Sequence, residues 1–407
     1  MSSLRRLVDL SEKENITQNQ WRSIESRLAI AQETLLSNLE NAGRKYLHQI
    51  NNPEQARKMN KILGELDLKL TKVIIFFDTY FDILSQRKVS SLNEILAGCD
   101  VIAADAVKNK HRLLDLMEDP IVFFDRGFGA SIIREGASFP TKIKNPVPLL
   151  QIPYSRFISK YDLSSILHEA GHLVMARLGL NVMLPRLFRN VLATTDAPVD
   201  IINLYSRWTT EIGPDFWGFC NCGQAQTSSV KEILSLPPQN VFKISFGDPH
   251  PPPYIRVLLS IDWCRYQWGN GEWENWQQEW FNFYPIKMAP RETARILEIC
   301  RKFIPIITKT LFNTRFKFLD GKKLPDLFEM SAISPENIKQ IANSIKSGKL
   351  NLKGHKPCIQ LAVFRWIRDH TNFNEDIIDK LMSDWLIRLG RSRRELTIPI
   401  IDLEERK

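Results

Sequence analysis

Between Trp21 and Tyr46 the apolar residues fall at Trp21, Ile24, Leu28, Ala31, Leu35, Leu39, Ala42 and Tyr46, steps of three and four that put them on one face of a helix. The same spacing returns from Ala56 to Leu84, through Met59, Leu63, Leu66, Leu70, Val73, Phe77 and Tyr80, behind Asn52 as a cap and Pro53 at the first helical position. A third run, Ile95, Cys99, Ile102, Ala106 and Leu113, opens with a capping box from Ser91 to Glu94. Three such stripes predict an antiparallel helical bundle. It reads as a packing scaffold or, in the sharper reading, as a surface for a partner protein.

From Pro120 to Tyr161 the period shortens. Ile121–Phe124, Ser131–Ile133 and Val147–Ile152 are short β-type runs punctuated by Gly127, Gly129, Pro140, Pro146 and Pro153. They predict a small sheet, with the prolines placing the last run at its edge. Helical spacing resumes from Leu163 to Gly179, with Asp162 as N-cap and Gly179 as terminator. A helix is expected over Pro198 to Gln226, broken or kinked at Gly213-Pro214, and another over Pro251 to Trp268. Beyond Arg291 further helices are expected at Arg291–Phe303, Pro335–Ser347, Ile359–His370 and Asn374–Leu389, then a charged tail with a β-type piece from Leu396 to Ile401. The fold class is mainly α with a small β-sheet (α+β): a helical bundle over 1–118, a core over 119–290, a helical region over 291–390 and a tail over 391–407.

Composition narrows the setting. In 407 residues, 43% apolar, the most apolar stretch, Val73 to Leu84, is broken by Asp78 and Asp82, so no transmembrane segment is expected. The first residues lack the apolar core of a signal peptide, and six scattered cysteines fit a reducing compartment, so the expected location is cytoplasmic. Cys220 and Cys222 form a C-x-C pair that reads as two buried thiols ahead of a metal site. The net charge of +9 is spread along the chain, with one compact cluster at Arg391-Ser392-Arg393-Arg394. Solvated surface is the preferred reading over a nucleic-acid partner.

Chemistry concentrates in His168-Glu169-Ala170-Gly171-His172. Residues four apart share a helical face, so both imidazoles can reach one metal ion, with Glu169 beside them. A catalytic zinc takes three protein ligands and keeps its fourth position for water. The best candidate for the third is Glu211, some forty residues on, and Asp215 one turn later can hydrogen-bond a ligand imidazole. The proline-flanked segment Asp248-Pro249-His250-Pro251 is stiff and non-helical, and holds His250 in place.

H-E-x-x-H, then Glu211 and Asp215, then His250-Pro251 followed by Arg256, together resemble the gluzincin-type zinc metallopeptidases in motif order over about Pro146 to Arg256. The resemblance implies a zincin-like metallopeptidase core with Zn2+ held by His168, His172 and Glu211, Glu169 as general base, His250 stabilising the oxyanion and Arg256 ordering the acidic residues. The best-known members of this kind carry transmembrane helices, so membrane function does not carry over. Gly213-Pro214 also interrupts the helix that the Glu211-to-Asp215 spacing assumes. The expected function is a soluble metalloendopeptidase acting on a protein or peptide substrate, in a regulated system such as signalling or defence. Leu149 and Gln151 of the edge run would hold that substrate. The rival readings are a non-catalytic helical scaffold or regulator with a structural or vestigial zinc, and a basic nucleic-acid-associated protein.

Overall fold

The computed structural model describes residues 16–49, 51–108, 111–126, 131–133, 145–344 and 350–395. The expected turns at Gly127, Gly129 and Pro140, the end of the helix expected to reach Ser347 and the β-type piece Leu396–Ile401 lie outside them. The described residues are mainly helical with one three-stranded sheet. No helix among the described residues is long and apolar enough to cross a membrane.

Helix α1 spans Gln18–Tyr46 and α2 Pro53–Gln86. Thr17 and Gln20 form a reciprocal capping box at the start of α1, and Asn52 accepts from the Glu54 and Gln55 amides at the start of α2. The two pair as a hairpin. The third helix, α3 (Ser90–Val107), does not join them: it packs on the helix carrying the H-E-x-x-H motif and on the last helix. Its N-cap is Val89, so Ser91 lies within the first turn and not at the cap of the expected capping box. The three-helix bundle is thus a two-helix hairpin plus a core helix, because the stripe of α3 (Ile95, Cys99, Ile102, Ala106) is buried in the main core. That core runs from Ile95 to Leu386 across the boundaries expected near residues 118 and 290.

The strands are β1 (Ile121–Asp125), β2 (Ser131–Ile133) and β3 (Leu149–Pro153), in the order β1-β3-β2. β1 runs parallel to β3 and β2 antiparallel to it, with Ser131 opposite Gln151 and Phe123 opposite the same residue on the other side. β3 is therefore central, contrary to the edge position expected from its prolines. Pro148 precedes the strand and Pro153 closes it, so the amides in between remain free to bond both neighbours. Side chains alternate across the sheet. Val122, Phe124, Leu150 and Ile152 enter the main core, whereas Ile121, Phe123, Val147 and Leu149 meet Val73, Phe76, Phe77 and Tyr80 at the base of the hairpin. Arg87 and Asp100, both buried, pin this junction with a bidentate ion pair at 2.9 and 3.0 Å, and Asp100 also accepts from the Val122 amide.

The remaining helices of nine or more residues are α4 (Ser165–Arg177), α5 (Leu180–Leu192), α6 (Val199–Cys222), α7 (Gln224–Ile233), α8 (Pro253–Trp268), α9 (Trp273–Phe283), α10 (Arg291–Asn313), α11 (Pro335–Asn343), α12 (Pro357–His370) and α13 (Glu375–Glu395). Gly179 adopts φ 69° between α4 and α5, a conformation that favours glycine. Asp162 does not cap α4. It lies three residues before the helix and receives Arg365 of α12 at 2.7 Å. Burial pushes its carboxyl up to about 6 against the pull of Arg365. Of the break or kink expected at Gly213-Pro214, the break does not occur: helix α6 runs continuously through both residues. Residues on all sides of this segment are buried, and packing holds the helix where local propensity alone would end it. All six cysteines are buried and unpaired.

Candidate metal centre

Helix α4 crosses α6 at a point where the two backbones touch. A Cβ on Gly171 would lie 2.7 Å from Pro214 Cα and 2.9 Å from its carbonyl oxygen, and one on Gly213 would lie 3.0 Å from Met175 Sδ. Only glycine at 171 permits this approach. It brings His168 and His172, one turn apart on α4, against Glu211, one turn before Pro214 on α6.

The result is a compact triangle. His168 Nε2 lies 3.2 Å from His172 Nε2 and 3.3 Å from Glu211 Oε2, and His172 Nε2 lies 3.7 Å from that same oxygen. Zinc–nitrogen and zinc–oxygen bonds of about 2.0–2.1 Å at a tetrahedral angle put neighbouring ligand atoms roughly 3.3–3.4 Å apart. The triangle fits one face of such a tetrahedron, and the donor set of two imidazoles and one carboxylate suits zinc. Among the described residues no other group of three metal-binding side chains converges in this way, and Cys220 and Cys222 belong to no such group.

The surroundings fix the His168 imidazole. His168 Nδ1–H donates to Asp215 Oδ1 at 2.7 Å, and Asp215 also accepts from Arg256 Nε and, at 2.7 Å, from Nη2. Arg256, near the start of α8, therefore neutralises the carboxylate that orients His168 and turns its Nε2 toward Glu211 and His172. Burial opposes charge on Asp215, but Arg256 and His168 hold it well below the usual carboxylate range. Burial likewise opposes charge on His168, and Asp215 with Glu211 overrides it and raises its pKa. Burial and the His168 charge together push His172 down to about 4, so its lone pair stays available.

Glu169 is 5% exposed and lines the same cavity, of about 530 Å³, as the triangle. Its carboxylate forms no hydrogen bond or ion pair among the described residues, and burial raises its pKa, which favours a group that accepts and returns a proton. His250 also lines the cavity but is more than half exposed. Its Nδ1 bonds Asp248 Oδ1 at 2.6 Å, and its Nε2 lies 3.5 Å from Glu211 Oε2. With Nδ1–H given to Asp248, Nε2 donates only from the protonated ring.

Leu149 and Gln151 do not reach the site. Leu149 is buried against the hairpin on the far face of the sheet, and Gln151 takes a hydrogen bond from Ser131 Oγ at 2.9 Å. The strand facing the cavity is β2, through Ser131 and Ile132. Sequence reasoning also missed Arg156, Ser164, Val230 and Ile233 in the cavity wall. Of these only Ser164 carried a signal, standing four residues before His168 on the same helical face. No known protein family, no curated protein and no solved structure matches the chain.

Proposed function

We propose that the protein is a zinc metallopeptidase that hydrolyses peptide bonds of a protein or peptide substrate. The observation that supports it is the triangle of His168, His172 and Glu211 with the unpartnered, buried carboxylate of Glu169 on the same cavity. A structural zinc calls for four protein ligands and a closed shell; here three donors converge and a cavity opens beside them.

Zinc, when bound, supplies a Lewis acid for the scissile carbonyl and lowers the pKa of water toward neutrality. The chain's own residues do the rest. His168, His172 and Glu211 hold the ion, and Asp215 with Arg256 keeps the His168 ring from rotating. Glu169 takes the proton from the attacking water as the C–O bond forms, then returns it to the amine nitrogen as the C–N bond breaks. His250, anchored by Asp248, faces the charge that develops on the carbonyl oxygen. Six unpaired cysteines support a reducing, cytoplasmic setting for this chemistry.

The test compares the full chain with Glu169→Gln. Both are expected to hold one zinc by elemental analysis, while cleavage of an unfolded protein substrate falls by about 10²–10⁴ in the variant, the usual contribution of a general base. Cleavage that survives the substitution, or absence of metal from both proteins, sinks the proposal.

A further inference from the structure

We infer that the wall of the cavity next to His168 is an anion subsite, formed by Arg156 and Ser164, that receives a carboxylate of the substrate close to the bond being cut. The substrate class is then an acidic peptide. This rests on the peptidase reading of the same cavity.

Arg156 stands in the helical turn Ser155–Ile158 that follows β3, and its side chain is only 14% exposed. Its one charged partner among the described residues is Asp162, 3.8 Å from Nη1, and Asp162 is already engaged by Arg365 at 2.7 Å. Arg156 Nε is enclosed with no acceptor. Ser164 is 2% exposed, does not cap α4 although it stands at the capping position, and leaves its Oγ buried without a partner. Both residues line the cavity. Buried donors are ordinarily satisfied, so two on one cavity wall call for an acceptor that the described residues do not provide.

The chemistry of the two donors selects the ligand. A guanidinium presents parallel N–H groups that match the two oxygens of a carboxylate, and a hydroxyl adds a third donor. A cationic side chain is repelled at the same place. Ser164 precedes His168 by four residues, so it sits one helical turn, about 5.4 Å, along the face that carries the metal-binding imidazole. An extended peptide advances about 3.3 Å per residue. A carboxylate there belongs to a residue adjoining the scissile bond, either as an Asp or Glu side chain or as a chain terminus.

The experiment uses the full-length, zinc-loaded chain and paired synthetic peptides that differ only in Glu against Gln at positions flanking a cleavable bond, each made with a free and an amidated C-terminus. Cleavage rates are read for the wild type, Arg156→Gln and Ser164→Ala. Zinc content and thermal midpoint are recorded for each variant. The wild type is expected to prefer the acidic peptide by about tenfold or more, the free energy of one charge-assisted hydrogen bond. Arg156→Gln brings the ratio to within about twofold of one, and Ser164→Ala lowers it about threefold if the arginine variant proves unstable. A preference that survives C-terminal amidation assigns the carboxylate to a side chain, and one lost on amidation assigns it to a chain terminus; both support the subsite. Cleavage with no acidic preference, or with one that both substitutions leave intact, overturns the subsite and spares the peptidase reading. If the wild type cleaves nothing, affinity of the same peptides for the chain decides. Tighter binding of the acidic member that Arg156→Gln abolishes upholds the anion subsite alone, and equal binding overturns it.

Discussion

Replacing Gly171 by alanine sets helix propensity against geometry at the centre of the site. Propensity alone favours the change by about 1 kcal/mol. Against it, the new methyl would stand 2.7 Å from Pro214 Cα, where an ordinary carbon contact is about 3.5 Å, so α4 and α6 must part by roughly 0.8 Å. Overpacking of this kind costs about 1–3 kcal/mol, so the net change in stability is a small loss. The metal site is the more sensitive reporter. Metal–ligand distances tolerate about 0.2 Å, and the shift separates Glu211 from both histidines by several times that, so zinc affinity should fall at least about tenfold. Competition with a chromophoric chelator measures the affinity, and urea unfolding of the metal-free chain measures the stability. Gly64 on α2 provides the control, because a Cβ there meets nothing within 4 Å. Gly64→Ala should stabilise by about 0.5–1 kcal/mol and leave zinc binding untouched. A Gly171→Ala protein that binds zinc as tightly as the wild type and unfolds at higher urea would refute the helix-crossing account of the site.

Glu211→Ala should abolish the bound zinc in elemental analysis, whereas Asp215→Asn should keep one zinc per chain and weaken its affinity about 10- to 100-fold, the cost of losing the partner of a ligand imidazole. Equal retention by both variants would remove Glu211 from the ligand set. Arg87→Met should cost about 3–5 kcal/mol in urea unfolding, because it leaves Asp100 buried without its counter-charge, and adding Asp100→Leu should recover much of it. A loss below about 1 kcal/mol would show that the ion pair is not what secures the hairpin junction. The His370 ring lies 2.6 Å from Glu272; burial opposes its charge, but Glu272 outweighs burial and raises its pKa above 6.5. The stability this pair contributes is therefore present below pH 6.5 and lost as pH rises through the raised value. An NMR titration of His370 should return to 6.5 or below in Glu272→Gln, and an unchanged midpoint would rule out that partner.

What the sequence made legible was local. The three-and-four spacing of Trp21 to Leu84 marked two helices, Asn52-Pro53 marked the start of the second, and the four-residue step from His168 to His172 put two imidazoles on one face. Each of these is decided within a few turns of one helix. What stayed hidden depended on partners far along the chain. The prolines flanking β3 suggested an edge, but its central place follows from pairing with Ile121–Asp125 on one side and Ser131–Ile133 on the other. Gly213-Pro214 suggested a break because the proline removes a backbone donor, and nothing local announced that Gly171 would pack against it. Asp162 carried a capping residue's identity, but Arg365, some two hundred residues on, claimed its carboxylate.

Among the described residues the hairpin of α1 and α2 meets the sheet at its base, through Val73 to Ile83, while Ala42, Tyr46 and Met59 form a separate small cluster near its tip. At 1.5 Å per residue the gripped length of α2 is about 15 Å, and the span from Val73 back to Pro53 is about 30 Å. The part of α2 that extends beyond the sheet is thus about twice as long as the part seated on it. The seat rests on one face of a single pleated layer, and the other face of that layer packs on α4. The sheet is thus the layer between the hairpin and the metal-binding helix, with Ile121, Phe123 and Leu149 turned to the hairpin and Leu150 and Ile152 to the core that contains α4.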